Sequence, residues 1–269
     1  MFQLKVLVDN NTIIDKYFLG EPALSFYIEY ENKKILFDTG YSDIVIKNAK
    51  EMNILFEQLD YIVLSHGHND HTGGLKYLLN FYKHLGHKPK IIACPNVFSQ
   101  RFDNIDGEFG SPLSKEEVES VFEVVYTDKP FLLSENICFL GKIPRINNYE
   151  GKTQIGFLKN SDNPDYVEDD SALAIRINKK IFIVTGCSHS GIINICNYAK
   201  QVFKLDTIYS IIGGLHLQEA SQEHLEYTIN ELNKLNLDSL YACHCTGFKA
   251  TSKLAETINV KEVGVGLSL

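Results

Sequence analysis

This chain of 269 residues is predicted to adopt an α/β fold, a four-layer αββα sandwich in which two mixed sheets pack together with helices outside. Two observations predict it. Each half of the sequence opens with a β-hairpin and closes with strand-helix units, and no repeated or low-complexity stretch interrupts residues 1–269, which read as a single domain.

Met1 to Asp9 alternates like a strand and lacks the basic start, long apolar core and cleavage site of a signal peptide. Leu24 to Glu29 and Lys34 to Phe37 read as a hairpin about Glu31-Asn32-Lys33. A helix is expected over Ser42 to Met52, then a buried strand, Tyr61-Ile62-Val63-Leu64, which stops at Ser65-His66. Leu75, Leu78, Leu79 and Tyr82 have helical spacing, and Lys90 to Ala93 is a strand. From Arg101 to Asp170 the pattern weakens, with a short helix opened by the capping box Ser114-x-x-Glu117 and strands near Val121 to Tyr126 and Ile137 to Leu140. This segment, with Phe102, Phe109, Tyr149, Phe157 and Tyr166, is expected to cover the functional site. Regular order returns with strands at Ser171 to Ile177 and Lys180 to Thr185, a helix over Ile192 to Val202 and a strand over Thr207 to Ile212. A helix over Ser221 to Leu235 and a strand over Ser239 to Cys243 complete the pattern.

A formal net charge of −8 repels polyanions, so no nucleic-acid partner is expected. No apolar run is long enough to span a bilayer. The six cysteines are scattered and read as reduced thiols in a cytoplasmic protein. Oligomeric state is not legible.

The chemistry concentrates in Ser65-His66-Gly67-His68-Asn69-Asp70-His71-Thr72-Gly73-Gly74, where three imidazoles and a carboxylate follow a buried strand. These are ligand types for zinc and other divalent metals, and His-x-His on an extended segment points both rings the same way. Asp70 and His71 can serve a second ion, and Gly73-Gly74 is expected to turn the backbone beneath the site. His189 and His244 both stand where a strand runs out into a loop and are further ligand candidates. His216 is a candidate for proton transfer or substrate contact. His224, flanked by Glu223 and Glu226, is assigned to a solvated helix face.

His66-x-His68-x-Asp70-His71, preceded by Leu36-Phe37-Asp38-Thr39-Gly40, resembles the signature of the metallo-β-lactamase superfamily. The resemblance implies that Asp38 orients a ligand imidazole without touching the metal. It also implies a bridging Gly-Asp after the strand ending at Thr185, but here Cys187 follows Gly186. Thiolate ligation by Cys187, a water, a carboxylate from Asp169 or Asp170, and a purely structural thiol all remain open. Gly141-Lys142-Ile143-Pro144-Arg145, Thr185-Gly186-Cys187-Ser188-His189-Ser190-Gly191, Gly213-Gly214-Leu215-His216-Leu217 and His244-Cys245-Thr246-Gly247 extend the likeness across nearly the whole chain. They resemble the dihydropterin-linked ribofuranosylaminobenzene 5′-phosphate synthases and their bacterial metallohydrolase relatives.

The expected function is that of a hydrolase using one or two divalent ions, zinc first, with manganese, iron or magnesium as alternatives. Its partner is a small-molecule substrate, with phosphate favoured and Arg145 a candidate to assist in binding it, and Asp70 and His216 are its catalytic candidates. The alternatives are a transferase joining a dihydropterin methyl diphosphate to a ribofuranosylaminobenzene phosphate, and a non-catalytic metal-binding sensor.

Overall fold

The computed structural model describes residues 1–104, 107–159 and 163–269. The chain begins with β1 (Gln3–Val8), β2 (Ser25–Tyr30), β3 (Lys33–Phe37), α1 (Ile44–Glu51), β4 (Tyr61–Val63), α2 (Asn69–Thr72), α3 (Leu75–Tyr82) and β5 (Lys90–Ala93). Next come β6 (Arg101–Asp103), β7 (Gly107–Glu108), α4 (Lys115–Glu119), β8 (Val124–Tyr126), β9 (Phe131–Ser134), β10 (Ile137–Phe139) and β11 (Phe157–Leu158). The last elements are β12 (Ala172–Ile177), β13 (Lys180–Thr185), α5 (Ile192–Phe203), β14 (Ile208–Gly214), α6 (Gln222–Lys234), β15 (Ser239–Cys243) and α7 (Phe248–Ala255). They form two compact units, one of Met1–Thr127, Ile155–Asp165 and Val263–Leu269, the other of Asp128–Gln154 and Tyr166–Glu262.

The first unit is built on a sheet ordered β1-β2-β3-β4-β5-β8. Tyr30 pairs with Lys33, leaving Glu31 and Asn32 as a two-residue turn with φ of 53° and 58°. Two left-handed residues match the twist of the hairpin strands. From β3 onward the neighbours β4, β5 and β8 run parallel. Leu36, Ile62 and Ile91 pack there with Val45 of α1 and Leu75, Leu78 and Tyr82 of α3. Because β3 and β4 are parallel, Asp38 and Ser65-His66 emerge at the same edge, the carboxyl ends where sites form in α/β sheets. The C-terminal residues cover the free edge of β1, with Leu4 N donating to Leu269 O and Val6 N to Leu267 O, both 3.0 Å.

A small sheet ordered β11-β6-β7 adjoins it within this unit. Arg101, 1% exposed, donates through Nε to Asp165 at 2.7 Å. Part of the expected cover segment, residues 105–106 and 160–162, lies outside the described residues.

The second unit repeats the plan with the order β15-β14-β13-β12-β10-β9. Its hairpin turn, Asn178-Lys179, is again left-handed at φ 49° and 63°, and β13, β14 and β15 are parallel. The loops carrying His189, His216 and His244 therefore leave one edge of that sheet. Ile183, Ile211 and Leu240 pack against Ile195 and Ala199 of α5 and Leu225 and Leu232 of α6. Among the described residues no helix is long and apolar enough to cross a membrane.

The Arg101–Asp165 pair gives a stability prediction. Asp165→Ala leaves the buried guanidinium without its carboxylate and is expected to lower unfolding free energy by about 3–5 kcal/mol. Denaturant unfolding followed by circular dichroism measures it, and a loss under about 1 kcal/mol would contradict the pairing, since that is the range of an exposed ion pair.

Candidate metal centre

In the first unit the chain turns sharply after β3. Asp38 has φ 55°, a left-handed conformation that aspartate tolerates better than most residues. Its buried carboxylate reaches three groups: Oδ1 accepts from Ser65 N, and Oδ2 meets Ser65 Oγ and His71 Nδ1, each at 2.7 Å. With His71 Nδ1 held by a carboxylate, the lone pair of Nε2 is left as the ligating position. That nitrogen lies 3.5 Å from Asp70 Oδ2. Ser65 Oγ also meets His66 Nδ1 at 2.9 Å, which fixes a second ring. The His66 ring centroid is 4.4 Å from that of His68 and 4.2 Å from that of His71.

Gly73 and Gly74 do not make the tight turn expected of them; they continue the helical path, with φ of −62° at each. Their role is close approach, because a Cβ would lie 2.4 Å from Tyr41 O at Gly73 and 2.0 Å from Thr39 O at Gly74. Thr39 N donates to His71 O at 2.8 Å, so the Asp38 turn and the histidine turn are laced together.

In the second unit, Thr185 Oγ1 meets Ser188 Oγ at 2.9 Å, and Ser188 Oγ donates to Gly214 O at 2.7 Å. Ser190 N donates to the buried Asp170 at 2.9 Å, and Glu150 accepts from Ile193 N and Asn194 N at the start of α5. These bonds hold His189 on a fixed loop, its ring centroid 4.3 Å from that of His216. His216 Nδ1 is buried with no hydrogen-bond partner among the described residues. Cys245 Sγ contacts Cys187 O at 3.7 Å.

The electrostatics follow from burial and neighbours. Burial pushes the Asp170 carboxyl up to about 6 against the hydrogen bonds from Ser190. At Cys245 burial disfavours the thiolate, but hydrogen bonds to Cys187 and His216 and the adjacent imidazoles bring the thiol well below its ordinary range. Burial opposes a charge on His216, but the Cys245 hydrogen bond and charge, with Asp170 and Glu219, raise it.

Within the first unit the structure thus brings together Asp38, His66, His68, Asp70 and His71, and within the second Cys187, His189, His216 and Cys245, with His244 opening a tight 3₁₀ turn over His244–Thr246. Arg145 is committed elsewhere: its guanidinium donates to Gly151 O, Tyr166 O and Val167 O at 2.7–2.8 Å, so it organises a loop. His224 is half-buried rather than solvated, and burial lowers its pKa, with His216 contributing. Sequence reasoning passed over Ser65 and Cys245, although both lie inside motifs it used.

The donor set fits divalent ions: the buried His66 ring lies within 4.4 Å of the rings of His68 and His71, and a carboxylate stands beside a nitrogen whose partner atom is already satisfied.

The first part of the chain, residues 19–99, matches the family model of the metallo-β-lactamase superfamily. The protein belongs to that superfamily. It is 36% identical over 255 residues to the 7,8-dihydropterin-6-methyl-4-(β-D-ribofuranosyl)-aminobenzene-5′-phosphate synthase of Methanocaldococcus jannaschii, covering 89% of this chain and 85% of the relative. An uncharacterized protein of the same archaeon is 34% identical over 261 residues, 95% of each chain. Among solved structures, Tm1679, described as a metal-dependent hydrolase of the β-lactamase superfamily, superposes with a TM-score of 0.85 at 26% identity, covering 100% of this chain and 98% of that one. The protein is an enzyme of the metallo-β-lactamase fold, a fold that implies divalent-metal binding, and this sets aside the non-catalytic sensor.

Asp38→Asn keeps the side-chain shape and removes the charge that holds His71. It is expected to weaken metal binding about 10- to 100-fold, measured by competition with a chromophoric chelator, with far-ultraviolet circular dichroism unchanged. Undiminished affinity would show that Asp38 serves the fold alone.

Proposed function

We propose that the protein is a metal-dependent hydrolase of small phosphate-bearing substrates, with His66, His68, Asp70, His71, His189 and His244 as ligands of one or two divalent ions, zinc foremost. The observation that carries this reading is the Asp38–His71–Asp70 chain: an imidazole anchored through Nδ1 whose Nε2 lies 3.5 Å from a partly exposed carboxylate. A bound divalent ion supplies Lewis acidity, making water more acidic and polarising a phosphoryl or acyl oxygen. Asp38 keeps the His71 tautomer fixed. Asp70, whose side chain is 27% exposed, orients the attacking water and takes up its proton, and His216 is the second group placed to transfer a proton. Phe109 lies edge-on to His68 with centroids 5.1 Å apart, an aromatic of the proposed cover set against a proposed ligand.

A second reading is favoured by the 36% identity to a named synthase: transfer, in which an aminobenzene ribofuranosyl phosphate replaces water and a dihydropterin methyl diphosphate supplies the leaving group. Assay of the zinc-reconstituted protein against phosphoesters, phosphodiesters and lactones, and against the pterin diphosphate with its acceptor, separates the two. Chelator-sensitive turnover in the first group supports hydrolysis, and product only with both co-substrates supports transfer.

Asp70→Asn retains one oxygen and loses the charge. Turnover is expected to fall on the order of a hundredfold or more, with one ion retained better than the other because the imidazoles remain. Metal content and kinetics on the same preparation check both halves, and near-normal turnover would make Asp70 a structural residue.

A further inference from the structure

Helix α7, in the second unit, carries two of its charges against its own dipole. An α-helix is partly positive at its N-terminus and partly negative at its C-terminus, so carboxylates suit the first turn and cations the last. Lys253, in the last turn, obeys that rule, whereas Lys249 stands in the first turn and Glu256 caps the end. Both are exposed, and the Lys249 ammonium makes no ion pair or hydrogen bond among the described residues. Directly before Lys249, Phe248 leaves 89% of its surface to solvent. The stability of an isolated helix accounts neither for the placement of these charges nor for the bare ring.

The exposed positions follow a pattern. Lys249, Ser252, Lys253 and Glu256 are all exposed and recur at i, i+3, i+4 and i+7, the spacing of one helix face. Ala250 and Leu254, on other faces of the helix, are buried in the core of the unit. The exposed stripe is symmetric about the midpoint between Ser252 and Lys253. Laid antiparallel against a copy of itself, it therefore sets Lys249 opposite Glu256 of the second copy, once at each end. Lys249 then stands near the negative end of the neighbouring helix and Glu256 near its positive end, so a conflict within one helix becomes a favourable contact between two. Glu256 already meets Lys253 of its own helix at 3.1 Å, and a carboxylate has lone pairs enough to accept from both lysines. On the flank of the same face, Phe248 comes beside the exposed Ala255 of the second copy, which removes apolar surface from water.

We propose that the exposed face of α7 is the contact of a two-fold symmetric homodimer, with α7 packed antiparallel against α7 of a second copy. Such a contact is self-complementary, as a two-fold requires: each residue meets on the partner the residue that meets its own equivalent. A contact centred on two short helices belongs to the small, weakly associating class of interfaces, so the dimer is in reversible exchange with monomer. The proposal does not draw on the hydrolase reading and stands or falls apart from it.

The test is sedimentation equilibrium of the full-length protein over a concentration series reaching on the order of 100 μM, at low ionic strength to limit screening. The parent is expected to dimerise. Lys249→Glu brings two carboxylates together at each end of the contact and Glu256→Lys two ammonium groups, and each should weaken association at least about tenfold. Phe248→Ala should weaken it as well. Mixing the two charge-reversed variants is the discriminating measurement, because every end of a mixed dimer again joins a carboxylate to an ammonium group. The mixture, and the double variant Lys249→Glu/Glu256→Lys by itself, should associate within about threefold of the parent. Both reversals agree with the dipole of α7, so melting midpoints of the dilute variants should not fall, and lost folding is not mistaken for a lost contact. The proposal is overturned by a parent that stays monomeric across the series, which would leave this face to a different partner. It is overturned equally by charge reversals that leave dimerisation unchanged, or by a mixture of the two variants that fails to associate.

Discussion

Asp38 is sealed from water at the end of β3, and a carboxylate in that position is tolerable only if its oxygens are met. They are met by Ser65 N, Ser65 Oγ and His71 Nδ1 at a common 2.7 Å, groups that belong to the end of β4 and to α2. One side chain therefore ties the end of β3 to the strand end and the helix turn that carry the histidine motif some thirty residues further along the chain. The left-handed backbone at Asp38 is what turns its carboxylate toward those donors. Everything chemically useful in the first unit follows from that anchorage: the tautomer of His71, the pose of His66 through Ser65, and the place of Asp70 beside His71 Nε2. A cation on the far nitrogen of His71 would complete an alternation of charge across the ring, carboxylate on one side and metal on the other, which raises ligand basicity.

Both units reach their sites by the same topological route. In each, a two-residue left-handed hairpin is followed by parallel strands whose carboxyl ends share one edge, and the polar residues stand in the loops just past those ends. The chemistry at the two edges differs. The first is imidazole and carboxylate, while the second adds the thiols of Cys187 and Cys245 beside His216 and His189. The opposed shifts at Cys245 and His216, thiol down and imidazole up, follow from their hydrogen bond, in which each group favours the charged form of the other.

The hairpins, the longer helices such as α5 and α6 and the histidine cluster were legible because each is a local pattern: period-two alternation, helical spacing, a dense run of donors. Elements whose reason is tertiary were not. β9, Phe131–Ser134, exposes Leu132 and buries Leu133, a weak alternation that only pairing with β10 makes a strand. α7 lacks an N-cap side-chain bond, and no start signal marked it. Strand β14 runs through Gly213 and Gly214 because a Cβ at Gly213 would lie 2.0 Å from Thr185 O, a closeness that sequence cannot show. The Gly73-Gly74 pair was correctly singled out for the wrong reason, since glycine signals permissive backbone and close approach alike. Arg145 misled in the same way: a lone arginine in a motif invites an anion, but three carbonyls already engage it.

Charge then narrows how substrate can be held. The chain carries a formal net charge of −8, and of the arginines near conspicuous motifs, Arg145 is bound to carbonyls and Arg101 is buried against Asp165. Long-range attraction of an anion is therefore weak, and an oxyanion must find its positive charge locally, in the divalent ions that the proposed ligands would hold. The same arrangement accommodates hydrolysis or transfer, because the choice between them depends on whether water or a second organic nucleophile occupies the place beside Asp70. Fold alone does not make that choice.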